Sequence, residues 1–217
     1  MKMIPAPPML QRPVVQRALL LAAAGLLVAA IFLPLWGMTL VSVQYPEGLR
    51  MIVYPTYITG DITEINLLNK SIGMTQISND FFLELKVLPV AFVALALLCV
   101  VGAFIRRAWW SLLSLSAMVA LGGFGLWSMR HRLWQFGNEL SPTAPMTIDP
   151  FTPPMLGANQ IAQFATYSYF SWGTTLPLLA GLLVLVVLWT QLFSGNSGPD
   201  APRVRAKSMS ELHPARS

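Results

Sequence analysis

The stretch that decides the fold is Val87-Leu88-Pro89-Val90-Ala91-Phe92-Val93-Ala94-Leu95-Ala96-Leu97-Leu98-Cys99-Val100-Val101-Gly102-Ala103-Phe104-Ile105, followed by Arg106-Arg107 and a second apolar run from Ala108 to Met129. Neither run contains an ionisable Asp, Glu, Lys, Arg or His. Crossing a hydrocarbon layer about 30 Å thick takes roughly 20 apolar residues in a helix, so each run is long enough to span, and the basic turn joins them as a hairpin. Two further charge-free runs lie outward of this pair, Ala18 to Trp36 and Leu176 to Phe193. The whole chain of 217 residues is 55% hydrophobic and 11% charged, whereas soluble domains carry roughly 25% charged residues. That composition excludes disorder and argues against a water-soluble globule. A single Cys and two His exclude an intrachain disulfide, a Cys-rich zinc or iron–sulfur site and a conventional haem cage.

The expected fold class is therefore an all-α membrane protein with four transmembrane helices and two extracytoplasmic loops. The order is an N-terminal segment 1–17, span 18–36, loop 37–86, span 87–105, turn 106–107, span 108–129, loop 130–175, span 176–193 and a tail 194–217. Arg12 and Arg17 give the first span the look of a signal peptide, but its length and the absence of a small-residue cleavage pattern predict a retained anchor. The tail, rich in Gly, Ser, Pro, Arg and Ala, cannot bury a core and is expected to be disordered.

Orientation follows from the basic residues. With both termini and the Arg106-Arg107 turn on one side, that side holds 9 of the 14 Lys and Arg and only Asp200 and Glu211 as acids, a balance of +7 against −2 opposite. The basic side is expected to be cytoplasmic, with the two large loops facing the periplasm or its equivalent. Arg130 and Arg132, at the other end of the third span, run against this rule. The basic excess thereby has a topological explanation and gives no reason to expect nucleic acid; the expected partners are the lipid bilayer and a membrane or periplasmic protein.

In the first loop, Tyr45-Pro46-Glu47-Gly48 has Pro and Gly where a β-turn favours them, and predicts a hairpin with arms Thr39 to Gln44 and Leu49 to Tyr54. Asp61 with Glu64 has the spacing of a helix capping box ahead of Ile65, Leu68 and Ile72, and Gly73 closes that helix. The prolines of the second loop favour an extended path, and from Gly157 the chain is expected to turn helical again, with Ile161, Phe164 and Ala165 on one side. Tyr167, Tyr169, Phe170 and Trp172 fit an aromatic belt at a membrane boundary or a partner surface.

These motifs carry a resemblance. The blocks Tyr45-Pro46-Glu47-Gly48-Leu49, Gly60-Asp61-Ile62, Ile65-Asn66, Leu68-Asn69 and Ile72-Gly73-Met74 lie in the first loop. Leu140, Pro142, Ala144-Pro145, Phe151, Pro153-Pro154, Gly157 and Gln160-Ile161-Ala162 lie in the second. Together, over about residues 30 to 175, they resemble a little-characterised family of four-span bacterial membrane proteins. Its members are often encoded with the accessory genes of nitrous oxide reductase and other periplasmic copper enzymes. The resemblance implies a role in copper-enzyme maturation. The family pattern has a His after the Leu-Asn pair and another after the Gly that precedes the Pro-rich run; here those positions are Lys70 and Asn138. An ammonium repels a cation and an amide is a poor copper ligand, so no metal role carries over to them.

Five methionines, Met38, Met51, Met74, Met146 and Met155, fall in the two loops without tight Met-x-Met spacing. Thioether sulfur suits Cu(I), and Met74, inside a matched block, is the metal-ligand candidate; the competing reading is that it fills a packing gap. His131, between Arg130 and Arg132, sits where neighbouring charge disfavours a bound cation. Glu47 and Arg50 are placed to pair across the hairpin turn. Asn66 and Asn69 are placed to hydrogen-bond the second loop. Cys99, inside a span, reads as packing. Gly122, Gly123, Gly125 and the Ala22 to Gly25 run supply small surfaces for close helix approach.

No phosphate-binding loop, Ser-His-Asp order or zinc-protease motif is present in the sequence. The function expected is accordingly non-catalytic: an integral membrane accessory protein that assists assembly of a copper enzyme. Tyr45, Glu47, Asn66, Asn69, Phe151 and Pro153 are its partner-binding residues, with no cofactor of its own unless copper. A permanent accessory subunit of a membrane oxidase or monooxygenase is the alternative, and a permease component the weaker one.

Overall fold

The computed structural model describes residues 9–10, 12–79, 82–105, 107–145, 149–161 and 164–194. Arg106, Met146, Ala162 and the tail from 195 onward, with its expected disorder, lie outside them. Among the described residues the chain forms helix α1 (Pro13–Ala30), strands β1 (Trp36–Val41), β2 (Leu49–Val53) and β3 (Ile58–Gly60), and helices α2 (Ile62–Ser71), α3 (Glu84–Ile105) and α4 (Ala108–Asn138). Strands β4 (Gly157–Ile161) and β5 (Phe164–Phe170) and helix α5 (Trp172–Ser194) complete it.

Helices α1, α3, α4 and α5 are long and apolar enough to cross a membrane. Helix α1 packs on α3 and α5, and α4 packs on the same two, so α1 and α4 lie diagonally across a four-helix bundle. Its core is made by Leu20, Ala23, Leu27 and Ala30 of α1, Phe92, Leu95, Ala96, Cys99 and Ala103 of α3, and Ala180, Val184 and Val187 of α5. Of the expected small surfaces, Ala23 and Ala24 enter the core, whereas a Cβ built on Gly25, Gly122, Gly123 or Gly125 would meet nothing within 4 Å; a helix glycine is tightly approached at Gly173, where a Cβ would meet the Leu33 and Pro34 carbonyls. Helix α4 stands apart in having only 11% of its apolar window buried, against 28–33% for the other three. Away from the sheet, polar side chains bridge helices. Gln16 Nε2 donates to Thr190 Oγ1 at 3.0 Å, and Ser111 Oγ to Gln191 Oε1 at 2.8 Å.

The all-α expectation fails at the other end of the bundle. There the segments between the long helices build a five-stranded antiparallel sheet of order β3-β2-β1-β5-β4. The expected hairpin exists, with Gly48 N–H donating to the Tyr45 carbonyl across its turn at 3.1 Å and Met38 opposite Met51. Its first strand begins at Trp36, however, so Trp36 belongs to the sheet and not to the first span. The helix expected after Gly157 is instead the β4–β5 hairpin, and β5 pairs with β1 from Trp36↔Phe170 to Val41↔Ala165. The central strand of the sheet thus joins the two inter-helix segments.

The third long helix also runs past its expected end at Met129, to Asn138. Its last turns carry Met129, Leu133 and Phe136 at helical spacing beneath the sheet, where Leu133 and Phe136 are buried with Trp36, Met38, Leu49, Met51, Ile65 and Ile77 in a second core. Burial of that face extends the helix beyond its charged Arg130 and Arg132. At the helix base Arg132 Nε and Nη2 donate to the two Glu84 carboxylate oxygens at 3.0 and 3.3 Å, and Ser128 Oγ donates to Glu84 Oε1 at 2.7 Å. This ion pair ties α4 to the start of α3.

Candidate functional site

The second core is where the residues singled out in the sequence converge. On β1, Trp36, Met38 and Leu40 share one face. Leu49, Met51 and Val53 of β2 and Ile58 of β3 continue it, and helix α2 covers it through Ile65, Ile62 and Leu68. Trp36 Nε1 donates to the Met155 carbonyl at 2.7 Å, which draws the Pro-rich segment beneath the sheet. Asn138 does the same from α4: its Nδ2 donates to the carbonyls of Trp134 and Phe151 at 2.9 and 3.0 Å, and Phe151 N–H donates to the Gly137 carbonyl at 3.0 Å. Asn138 is therefore a clamp on two backbone carbonyls. Lys70 is exposed on α2.

The expected capping box does not form. Asp61 stands at the N-cap of α2 with no side-chain cap bond; its Oδ2 accepts from the Arg50 N–H at 2.8 Å while its own N–H donates to the Arg50 carbonyl. The carboxylate extends the β2–β3 ladder by one rung, which competes with capping for the same lone pairs. No salt bridge joins Glu47 to Arg50; the ion pair among the described residues is Arg132–Glu84. Asn66 Nδ2 donates to the Ile77 carbonyl at 2.9 Å and its Oδ1 accepts from the Ile77 N–H at 2.7 Å, inside its own segment and not with the second one. Asn69 is buried, and its Nδ2 has no hydrogen-bond partner among the described residues. The contact sought from these two asparagines is made beside them, where Ser141 N–H donates to the Gly73 carbonyl at 2.8 Å. Gly73, at φ +79°, has Ser141 and Ala144 so close that a Cβ would touch them, so the glycine serves that junction as well as the helix end.

Of the six residues expected to bind a partner, only Glu47 is exposed. Tyr45 and Phe151 are half-buried, Asn66 is half-buried and engaged, and Asn69 and Pro153 are buried. The open surface lies on the opposite face of the sheet, where Tyr167 (51% exposed) and Tyr169 (45%) alternate with inward Thr166 and Ser168. Tyr169 lies over Gly37 of β1, whose missing side chain makes room for the ring. Trp172, 71% exposed, continues this aromatic surface into α5.

The structure also gathers the thioethers. Met38 and Met51 are buried and directly opposed across β1 and β2, and Met74, Met129 and Met155 pack on the same core half-buried. Three of these were visible in the sequence as loop methionines beside Met74; Met129 was not, because it had been placed in a span. Met74 therefore occupies the packing position of its competing reading, on the same core as four other methionines. Soft thioethers in an apolar surround fit a monovalent soft ion such as Cu(I) and offer nothing to a hard divalent one. Among the described residues no group of three His, Cys, Asp or Glu side chains could hold a metal ion. No protein-family model, curated protein or solved structure matches the chain.

Proposed function

We propose that this chain is a non-catalytic accessory protein of the bacterial inner membrane. In this reading both termini are cytoplasmic and the sheet stands in the periplasm, where it docks a membrane or periplasmic partner and assists maturation of a copper enzyme. The observation that carries the reading is the β1–β5 pairing. It fuses two segments separated by two long helices into one platform, with its apolar residues turned inward and Tyr167, Tyr169 and Trp172 turned outward. Aromatic side chains presented on a rigid frame are favourable contact groups at low entropic cost. The charge asymmetry of +7 against −2 between the two sides supports the orientation. Met38, Met51, Met74, Met129 and Met155 would hold copper if the protein carries it, supplying soft sulfur ligation in an apolar surround.

The test joins partner capture to metal analysis. A photo-crosslinking residue at Tyr167 or Tyr169 should trap one defined partner in intact cells, and deletion of the protein should leave a copper enzyme present but lacking metal. Full metallation of the cell's copper enzymes in the deletion strain would refute the maturation role. Copurification with a finished oxidase in fixed stoichiometry would make the chain a permanent subunit instead.

A further inference from the structure

The platform and the bundle meet at a level where Arg130 stands without a counter-charge among the described residues. Helix α4 rises 1.5 Å per residue, so Arg130 lies about 33 Å along it from Ala108, one hydrocarbon thickness from the far end. The neighbouring elements mark the same level independently. Trp36 follows closely on α1 and holds the Met155 carbonyl through its indole N–H, and Ser171 N–H, at the start of α5, donates to the Leu35 carbonyl. Arg132, two residues on, is neutralised by Glu84. Arg130 is exposed and has neither an ion pair nor a hydrogen-bond partner among the described residues. It lines a groove between α4 and the Pro-rich segment, with Thr152 as the other polar group and Leu133, Pro154, Met155 and Leu156 as apolar walls.

We propose that this groove binds an anionic phospholipid of the leaflet on the sheet side, with the Arg130 guanidinium on the phosphate and Leu156 and Met155 against the glycerol and upper acyl carbons. Three observations favour a lipid over a protein occupant. The groove sits at headgroup depth, where a guanidinium forms paired, charge-assisted hydrogen bonds to phosphate. It opens beside α4, the span least covered by the rest of the chain, so a lipid reaches it without displacing protein. Beside it Trp127, His131 and Trp134 stack in a column along α4, with centroid separations of 5.6 and 6.3 Å, and indoles favour the headgroup layer. A phosphate held there also answers why an unpaired arginine stands on the side that the positive-inside rule leaves poor in basic residues. The inference does not depend on the copper-enzyme reading.

The experiment is native mass spectrometry of the full chain released from nanodiscs of equimolar phosphatidylglycerol and phosphatidylcholine. The wild type should retain one phosphatidylglycerol per chain in about tenfold preference to phosphatidylcholine, the scale of one charge-assisted contact. Arg130→Gln should abolish the preference, while Arg107→Gln, at the opposite end of α4, should leave it intact; circular dichroism identifies any variant that fails to fold. Leu156→Ser gives a second reading by weakening retention of both lipids. Equal retention of the two lipids by the wild type, or a preference that survives Arg130→Gln, would overturn the proposal. So would photo-crosslinking from position 156 to a protein in place of lipid.

Discussion

Thr39 on β1 and Tyr167 on β5 face each other in register, although they belong to segments separated by α3 and α4. Replacing both by Cys in a Cys99→Ala background should give a disulfide under mild oxidation, because directly opposed antiparallel residues lie about 4.5–5.5 Å apart between Cα atoms, within bridging range. The bridge closes a loop of roughly 130 residues, for which the chain-entropy relation sets a ceiling of about 5 kcal/mol. In detergent the long helices survive unfolding of the sheet and already restrain the loop ends, so about 2 kcal/mol is the realistic gain. At 2–4 °C per kcal/mol for a chain of this size, the apparent Tm should rise by about 4–8 °C and fall back on reduction. Gel mobility without reductant reads the bridge, and a thermal-shift assay reads its effect. Thr39→Cys with Arg50→Cys, also in register but within the first segment, is the positive control, and Thr39→Cys with Ser168→Cys, on opposite faces, the negative one. If the first control bridges and the Thr39–Tyr167 pair does not, the two segments do not share a sheet.

Three further outcomes follow from the same geometry. Asn138→Ala removes the donor that holds the Trp134 and Phe151 carbonyls; a loss of about 1–2 kcal/mol is expected, read as faster hydrogen exchange at the Phe151 amide. Glu84→Gln leaves the half-buried Arg132 without its counter-charge and should cost about 1–3 kcal/mol, seen as a lower Tm in detergent. Met38→Leu preserves volume, so stability should change by less than about 1.5 kcal/mol; retention of silver, a Cu(I) surrogate, measured by elemental analysis, should drop if the thioether cluster binds soft metal and stay unchanged if sulfur only packs.

The long helices were readable because lipid imposes a rule that sequence displays directly: an uninterrupted apolar run. The first hairpin was readable because Pro46 and Gly48 declare its turn. The second was not, and the reason is visible in β5. Its inward residues next to the core are Thr166 and Ser168, and its outward ones are Tyr167 and Tyr169, so the polar side chains are buried, the aromatic ones exposed, and the alternation that marks a half-buried strand is inverted. Thr166 Oγ1 donates to the Asn159 carbonyl at 3.0 Å, a partner that only the folded pairing supplies. The continuation of α4 was hidden by Arg130 and Arg132, which end an apolar window but not a helix. The exposed aromatics Tyr167, Tyr169 and Trp172 were legible as a belt or a partner surface, but not as one face of a sheet, and the pairing of Asn66 with Ile77 depends on the fold and not on the spacing of Asn66 and Asn69.

The pairing of β1 with β5 sets an order on biogenesis. When β1 leaves the ribosome its partner is still about 125 residues from being made, an interval of roughly 6 to 25 seconds at ordinary elongation rates. Through that interval the strand offers an open edge and Trp36, Met38 and Leu40 lack the cover of Leu133 and Phe136 from α4 until that helix is made, a state prone to mispairing and proteolysis. Completion of the sheet reports that every long helix before α5 has been placed, so an insertion error anywhere upstream would leave the nascent hairpin exposed to quality control.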